Sequence, residues 1–148
     1  MCTILQVNNL MMKFEDRLIF DRVSFTLKKG STTALLGSNG TGKTTLIKIL
    51  MGMLHATSGD FQYSSKIKVA YVPQFRNLDA DYPLSIKAFV ELNMPLFKSK
   101  KDKAEINRIL AETHLSQIQH LRMGAASGGQ RQRAYLAQAL LDRPDLII

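Results

Sequence analysis

The most informative stretch of this sequence is Gly37-Ser38-Asn39-Gly40-Thr41-Gly42-Lys43-Thr44, which fits the pattern G-x-x-x-x-G-K-[ST]. Its glycines allow the backbone to wrap closely, so that successive N–H groups can point at the oxygens of a phosphate. A helix that begins near Lys43 adds the positive end of its dipole. We therefore predict a phosphate-binding loop, with Lys43 at the β- and γ-phosphates and the Thr44 hydroxyl as a ligand of Mg²⁺.

The segments on either side of this loop follow the periods of strands and helices. Val23, Phe25 and Leu27 alternate with polar residues, which predicts a half-buried strand. From Lys43 the apolar residues follow helical spacing, which predicts a helix that ends within residues 56–59. Further strands are predicted at residues 33–36, 61–63, 67–72 and 146–148. The loop would therefore connect a buried strand to an amphipathic helix.

Helix signals dominate the second half of the chain. One helix is predicted to begin at Ser85 and to end at Pro95, and a capping-box sequence at residues 99–102 predicts the start of another. A last helix is predicted to follow Ser127 and to end at residues 142–144. The lysines near the second of these helices are predicted to form a solvated face rather than the lining of a groove; they are Lys98, Lys100, Lys101 and Lys103.

Length and composition restrict the class of protein. The chain has 148 residues, of which 45% are hydrophobic and 22% charged, as expected for one compact soluble domain. The apolar runs are too short to cross a bilayer, and the single cysteine, Cys2, cannot form an internal disulfide, which favours a cytosolic protein. The net charge of +8 favours an anionic partner or a solvated basic face. The three histidines show no metal-ligand spacing.

A second glycine-containing motif, Ser127-Gly128-Gly129-Gln130, precedes the last predicted helix. Together with the phosphate loop it resembles the signature of ATP-binding cassette (ABC) ATPases, L-S-G-G-Q, with Ala126 at the leucine position. The resemblance covers Ile4 to Ile148 and implies an α/β fold: a P-loop NTPase core of the ABC type, with a small antiparallel β subdomain and a helical subdomain, incomplete at its C-terminus. The implied domains are the β subdomain and ATP-binding core at 1–75, the helical subdomain at 76–126, and the signature helix with the start of the Walker B strand at 127–148.

The resemblance also implies roles for individual residues, with ATP and Mg²⁺ as cofactors. Gln74, in Tyr71-Val72-Pro73-Gln74, resembles the Q-loop glutamine, which approaches Mg²⁺ and the attacking water; Gln74 and Lys43 are the implied catalytic residues, and Thr44 and Gln74 the implied Mg²⁺ ligands. Ser127, Gly128, Gly129 and Gln130 would contact ATP held by a second copy of the subunit. The residues expected to bind ATP are Phe14, stacked on adenine, and Gly37, Ser38, Asn39, Gly40, Thr41, Gly42, Lys43, Thr44 and Thr45.

The implied function is that of the ATP-binding subunit of an ABC transporter. Two copies would pair head to tail and drive a separate membrane permease, with an extracytoplasmic substrate-binding protein, from the inner face of the cell membrane. The short spacing between Lys43 and Gln74 resembles the ATPases of bacterial zinc and manganese importers. The full-length subunit would be an ATPase. The sequence stops before the acids of the Walker B strand, so this chain is expected to bind nucleotide without hydrolysing it.

A soluble ABC-type ATPase that acts on nucleic acid or the ribosome is the alternative, and the net charge favours it. The segment between Gln74 and Ala126 is too short for the long coiled coil that chromosome-maintenance members carry, and ribosome-associated members have two cassettes. No nucleic-acid partner is therefore expected. A P-loop kinase or GTPase would leave Ser127–Gln130 unexplained, and the sequence lacks the N-K-x-D motif that reads a guanine base.

Overall fold

The computed structural model describes residues 2–64, 66–73 and 82–148. These residues form two compact units, of which the first ends at Val69 and the second begins at Ala70. Gln74 lies outside the described residues. Strands predominate in the first unit and helices in the second.

Unit 1 is a three-stranded antiparallel sheet with one helix. Its strands are β1 (Thr3–Phe14), β2 (Arg17–Lys28) and β3 (Ser58–Tyr63), in the order β2-β1-β3. The predicted alternation on β2 is confirmed, because Val23, Phe25 and Leu27 are half-buried between exposed neighbours. The buried side chains come mainly from the central strand, which contributes Ile4, Leu5, Val7, Leu10 and Met12.

Helix α1 (Lys43–Leu50) buries Leu46, Ile49 and Leu50. Its last carbonyl accepts a hydrogen bond of 2.9 Å from the Tyr63 hydroxyl at the end of β3, and burial raises the pKa of Tyr63. The helix is shorter than predicted. The amide of Met53 donates to the carbonyl of Lys48, and that of Gly52 to the carbonyl of Ile49, an arrangement that closes a helix C-terminus.

The described residues of unit 2 form three helices: α2 (Ile86–Val90), α3 (Lys100–Glu112) and α4 (Gly128–Leu141). Two 3₁₀ turns, Ser116–Ile118 and Met123–Ala125, connect α3 to α4. The strand β4 (Val69–Ala70) pairs with β5 (Leu146–Ile147). The core of the unit comprises Ile86, Phe89, Val90, Ile106, Ile109, Leu110, Leu115, Met123, Ala126, Ala134, Ala137 and Leu141.

Each helix of unit 2 begins where the sequence predicts it. The hydroxyl oxygens of Ser85, Ser99 and Ser127 each accept a hydrogen bond from the backbone amide three positions later. Since an N-cap serine satisfies an amide that has no partner within the helix, these three residues fix the starts locally. Phe89 of α2 packs edge-on against Tyr135 of α4, with ring centroids 4.9 Å apart.

Several sequence predictions are wrong in extent. Residues 33–36 form no strand, and Leu36 is 87% exposed. A buried strand needs hydrogen-bonded neighbours, and within the described residues no strand pairs with this segment. The strand predicted at 67–72 is only β4, and the strand predicted at 146–148 is the two-residue, partly exposed β5. Helix α2 ends at Val90 instead of Pro95.

The predicted solvated face of lysines is also partly wrong. Lys98 and Lys103 line a depression together with Lys87, which approaches from α2. Sequence spacing did not indicate this, because Lys87 belongs to a different helix.

Candidate functional site

The phosphate loop of unit 1 lies between β2 and α1, and its residues 37–41 are exposed to solvent. Lys43, the first residue of α1, turns its side chain back over the loop. Its ammonium donates hydrogen bonds to the carbonyl of Gly37 at 2.6 Å and to that of Ser38 at 2.7 Å. An ammonium has three donors, so one remains for an anion at the loop.

Gly42 shows why this loop needs glycine. Its φ is +90°, and a Cβ atom at this position would lie 2.5 Å from Cγ2 of Ile19 and 3.0 Å from Cδ1 of Phe20. The side chains of β2 therefore support the loop from behind. The Thr41 hydroxyl donates to the carbonyl of Ser38 at 2.9 Å, which closes the turn from within.

The first turn of α1 is open to an anion. The N-cap residue, Gly42, provides no side-chain hydrogen bond, and the first turn contains no acidic residue. The first amides of a helix have no intrahelical partner, so the amides of Lys43, Thr44 and Thr45 form no hydrogen bond within α1. A phosphate fits this site, because the amides, the helix dipole and the Lys43 ammonium all favour negative charge. Thr44 is exposed, and its hydroxyl suits a ligand of Mg²⁺.

The second motif begins α4 in unit 2. The Ser127 hydroxyl accepts from the amide of Gln130 at 3.3 Å, and the Gln130 side chain accepts from the amide of Ser127 at 2.7 Å. This reciprocal capping box gives both residues a structural role. Ser127, Gly128 and Gly129 are exposed, and a Cβ atom at Gly129 would meet nothing within 4 Å. The surface at this helix start is therefore open to another molecule.

Two further contacts hold this helix in place, and the sequence did not indicate either. The Arg131 guanidinium donates to the carbonyl of Gly124 at 2.7 Å, and the Gln138 side chain donates to the carbonyl of Phe89 at 3.0 Å. Ala126, at the position of the signature leucine, is buried in the core of unit 2. A small apolar residue is accommodated there.

The structure brings the predicted site residues into two groups. Gly37 to Thr45 form one continuous loop and helix start in unit 1, and Ser127 to Gln130 form the start of α4 in unit 2. Phe14 is 47% exposed at the end of β1, opposite Arg17 of β2. No sequence pattern pointed to Ile19 and Phe20 as the support of the loop.

Comparison with known proteins identifies the family. The model of the ABC transporter family matches residues 20–148. The chain belongs to the ABC transporter family. The zinc import ATP-binding protein ZnuC of Rickettsia bellii is 37% identical over 145 residues, which are 98% of this ABC chain and 60% of that protein. ZnuC of Vibrio parahaemolyticus is 38% identical over 148 residues, all of this chain and 55% of the relative. The expected resemblance to zinc-importer ATPases is thus confirmed.

Solved structures confirm the fold class. An inward-facing ABC transporter of a proposed metal-chelate type superposes with a TM-score of 0.82 at 28% identity, over 99% of this ABC chain and 59% of that one. The ATP-binding cassette of another ABC transporter gives a TM-score of 0.83 at 23% identity, over 99% of this chain and 68% of that one. This ABC chain is therefore an α/β P-loop domain. It spans between half and two thirds of the length of the curated relatives it matches.

Within residues 2–64, 66–73 and 82–148, no helix has the length and apolar character that crossing a bilayer requires. In the same part of the chain, no three His, Cys, Asp or Glu side chains gather into a group that could hold a metal ion.

Proposed function

We propose that this chain is the nucleotide-binding part of an ATP-binding subunit that drives a metal-cation importer, for zinc or manganese. The observation that carries the proposal is the Lys43 ammonium, held by two loop carbonyls beside the uncapped start of α1. The names of the relatives, zinc import ATP-binding proteins, support zinc as the cargo.

The proposed nucleotide is ATP with Mg²⁺. Lys43 directs its third donor at the β- and γ-phosphates, and the amides of the loop and of the first turn of α1 hold the phosphate oxygens. The Thr44 hydroxyl ligates Mg²⁺, and Phe14 stacks on adenine. In a longer subunit Lys43 and Gln74 are the proposed catalytic residues, and Gln74 is a further Mg²⁺ ligand. The described residues support the roles of Lys43 and Thr44 most directly.

The proposed partner of the second motif is ATP bound by another copy of the subunit. Ser127, Gly128 and Gly129 are exposed, and Gln130 holds Ser127 at the helix start. A head-to-tail pair would act on a separate permease, with an extracytoplasmic substrate-binding protein, at the inner face of the membrane. In this arrangement residues 1–75 form the β subdomain and ATP-binding core, 76–126 the helical subdomain and 127–148 the signature helix with the start of the Walker B strand.

Replacing Lys43 by alanine tests the nucleotide site. We expect K43A to weaken binding of Mg·ATP by about 10- to 100-fold, the effect of losing hydrogen bonds to a charged group. The fold should persist, because the carbonyls of Gly37 and Ser38 lie in an exposed loop and can bond to water. The measurement is the ATP-dependent rise in melting temperature, with binding followed by calorimetry.

The matched control is K48A, which removes the same charge from an exposed position on the same helix. We expect ATP to stabilise K48A as much as the parent chain. Equal stabilisation of K43A and K48A by ATP would show that the loop is not the nucleotide site.

A further inference from the structure

An apolar turn lies on the surface of unit 2 between α2 and α3. Leu96 is 88% exposed and Phe97 is 91% exposed, and Leu92 nearby is 53% exposed. Large apolar side chains exposed together are a feature of surfaces that contact proteins or membranes. We call Leu96 and Phe97 the apolar tip.

A depression with basic walls adjoins the apolar tip. Its volume is about 600 Å³, and its lining comprises Lys87, Glu91, Leu96, Phe97, Lys98, Lys103, Ile106 and Asn107. The carboxylate of Glu91 is paired with the ammonium of Lys98 at 3.0 Å, and both side chains are largely buried. Neither Lys87 nor Lys103 has an ion-pair partner among the described residues. The depression therefore keeps a positive charge beside two exposed apolar side chains.

We propose that this face binds the surface of an anionic phospholipid membrane. A headgroup phosphate lies in the depression between Lys87 and Lys103, while Leu96 and Phe97 enter the boundary of the acyl chains. Apolar side chains beside lysines are the combination that holds a protein in the interface of an anionic bilayer.

The geometry favours a lipid surface over a peptide segment. A groove that binds an amphipathic helix offers it a concave apolar wall. Here Leu96 and Phe97, which line the depression, are themselves about nine tenths exposed, and of the six other lining residues only Ile106 is apolar. Protruding apolar groups can enter a bilayer without any concave partner. The proposal concerns residues outside the nucleotide site and does not depend on ATP.

Flotation with lipid vesicles tests this proposal on the 148-residue chain. We expect binding to vesicles of phosphatidylcholine with phosphatidylglycerol, little binding to phosphatidylcholine alone, and release by high salt. The double variant L96S/F97S should lose most of the binding. The double variant K87Q/K103Q should bind about tenfold more weakly or worse, the effect expected from two lysines near an anionic surface.

Matched controls separate this face from the general basicity of the chain. K28Q/K29Q makes the same charge change at two exposed residues, the last of β2 and the first after it, and L18S removes an exposed apolar side chain from unit 1. Both should bind vesicles like the parent. Circular dichroism and the ATP-dependent rise in melting temperature should be unchanged in L96S/F97S, so a failure of this proposal is distinguishable from a failure of the nucleotide site.

Three results would overturn the proposal. The first is vesicle binding that falls equally in the control variants, or no binding at all. The second is equally tight binding of soluble glycerol phosphate, which would make a free phosphate the ligand. The third is binding of an acidic amphipathic peptide, lost in K87Q/K103Q, in the absence of vesicle binding, which would identify the face as a protein-docking surface.

Discussion

Gly42 is the glycine of the phosphate loop at which an added Cβ atom would come closest to another residue. Its φ of +90° disfavours any side chain, and a Cβ atom would lie 2.5 Å from Cγ2 of Ile19. We expect G42A to lower the free energy of unfolding by about 2–4 kcal/mol, combining backbone strain with overpacking. Urea unfolding measures this loss, and the affinity for Mg·ATP should fall with it because the loop must move away from β2.

G40A is the matched control for this contact. Gly40 has a similar φ of +85°, but a Cβ atom there would meet nothing within 4 Å. G40A should therefore lose only about 1–2 kcal/mol, the cost of the backbone conformation alone. If G42A and G40A had the same free energy of unfolding, the contacts of the loop with Ile19 and Phe20 would contribute nothing measurable to stability.

At this scale the sequence predicts a chemistry for the loop but does not predict its packing. The motif identifies Lys43 and Thr44, because a phosphate demands those residue types at that spacing. It does not reveal that Ile19 lies behind Gly42, or that Lys43 bonds to the carbonyls of Gly37 and Ser38. Such contacts depend on where the chain folds back on itself, and no local pattern encodes that.

Two helices of unit 2 begin with capping boxes that differ in one respect. In α3 the Ser99 hydroxyl and amide both donate to the Asp102 carboxylate, at 2.7 and 2.9 Å. These hydrogen bonds, the hydroxyl's first, hold the pKa of Asp102 below its ordinary value. In α4 the corresponding side chain is Gln130, which does not ionise. The stability that the capping box of α3 contributes should therefore fall at acidic pH, whereas that of the capping box of α4 should not.

The pH dependence of α3 follows from the direction of this shift. Because the pKa of Asp102 is lower in the folded chain than in the unfolded one, its contribution is complete above about pH 4 and is lost as pH falls through the folded value. We expect D102N to be less stable than the parent at neutral pH, and the difference to shrink near pH 3. Hydrogen bonding to Arg108 also lowers the pKa of Glu105, so its contribution should be lost in acid as well. Urea unfolding at the two pH values measures the effect.

Ser127→Ala provides the comparison in α4. Loss of an N-cap serine costs about 1 kcal/mol, and here the cost should be the same at both pH values. S127A should leave ATP binding by the isolated chain unchanged, since the nucleotide proposed for Ser127 belongs to a second copy. A matching loss of ATP affinity in S127A and K43A would contradict the head-to-tail arrangement.

Helix starts were predictable from the sequence, and strand extents were not. Ser85, Ser99 and Ser127 act on amides within three residues, so each start is encoded locally. Residues 33–36 have the composition of a buried strand, yet Leu35 and Leu36 are 47% and 87% exposed. Whether such a segment becomes a strand depends on distant segments that pair with it. The short β5 shows the same dependence.

At the scale of the whole molecule, the two units carry different parts of the proposed function. Unit 1 holds the loop proposed to bind phosphate, and unit 2 holds the start of α4, proposed to contact a second nucleotide, together with the apolar tip. The net charge of +8 belongs to the whole chain, and by itself it favours either an anionic partner or a solvated basic face. The structure places three of the lysines around one depression, which composition cannot reveal.

Hydrolysis provides the last test. The resemblance places an Asp-Glu pair at the end of the strand that begins with β5, where the Asp helps to hold Mg²⁺ and the Glu polarises the attacking water. Residues 1–148 contain no acid after Asp145, which precedes β5. We therefore expect a polypeptide of these residues to bind Mg·ATP but to release phosphate far more slowly than ZnuC of Vibrio parahaemolyticus. Loss of a positioned general base alone removes about 10²–10⁴ in rate.

The assay must separate slow chemistry from absent binding. The rise in melting temperature shows whether the nucleotide is bound. K43A gives the background rate of phosphate release at the same protein concentration. We expect the parent polypeptide to bind ATP and yet to release phosphate no faster than K43A. The reason is that Lys43 and the loop amides can hold phosphate without activating water. Turnover comparable to that of ZnuC would mean that residues 1–148 contain a hydrolytic group. A carboxylate would then have to reach the γ-phosphate from elsewhere in the chain, and single Asp→Asn and Glu→Gln variants would identify it.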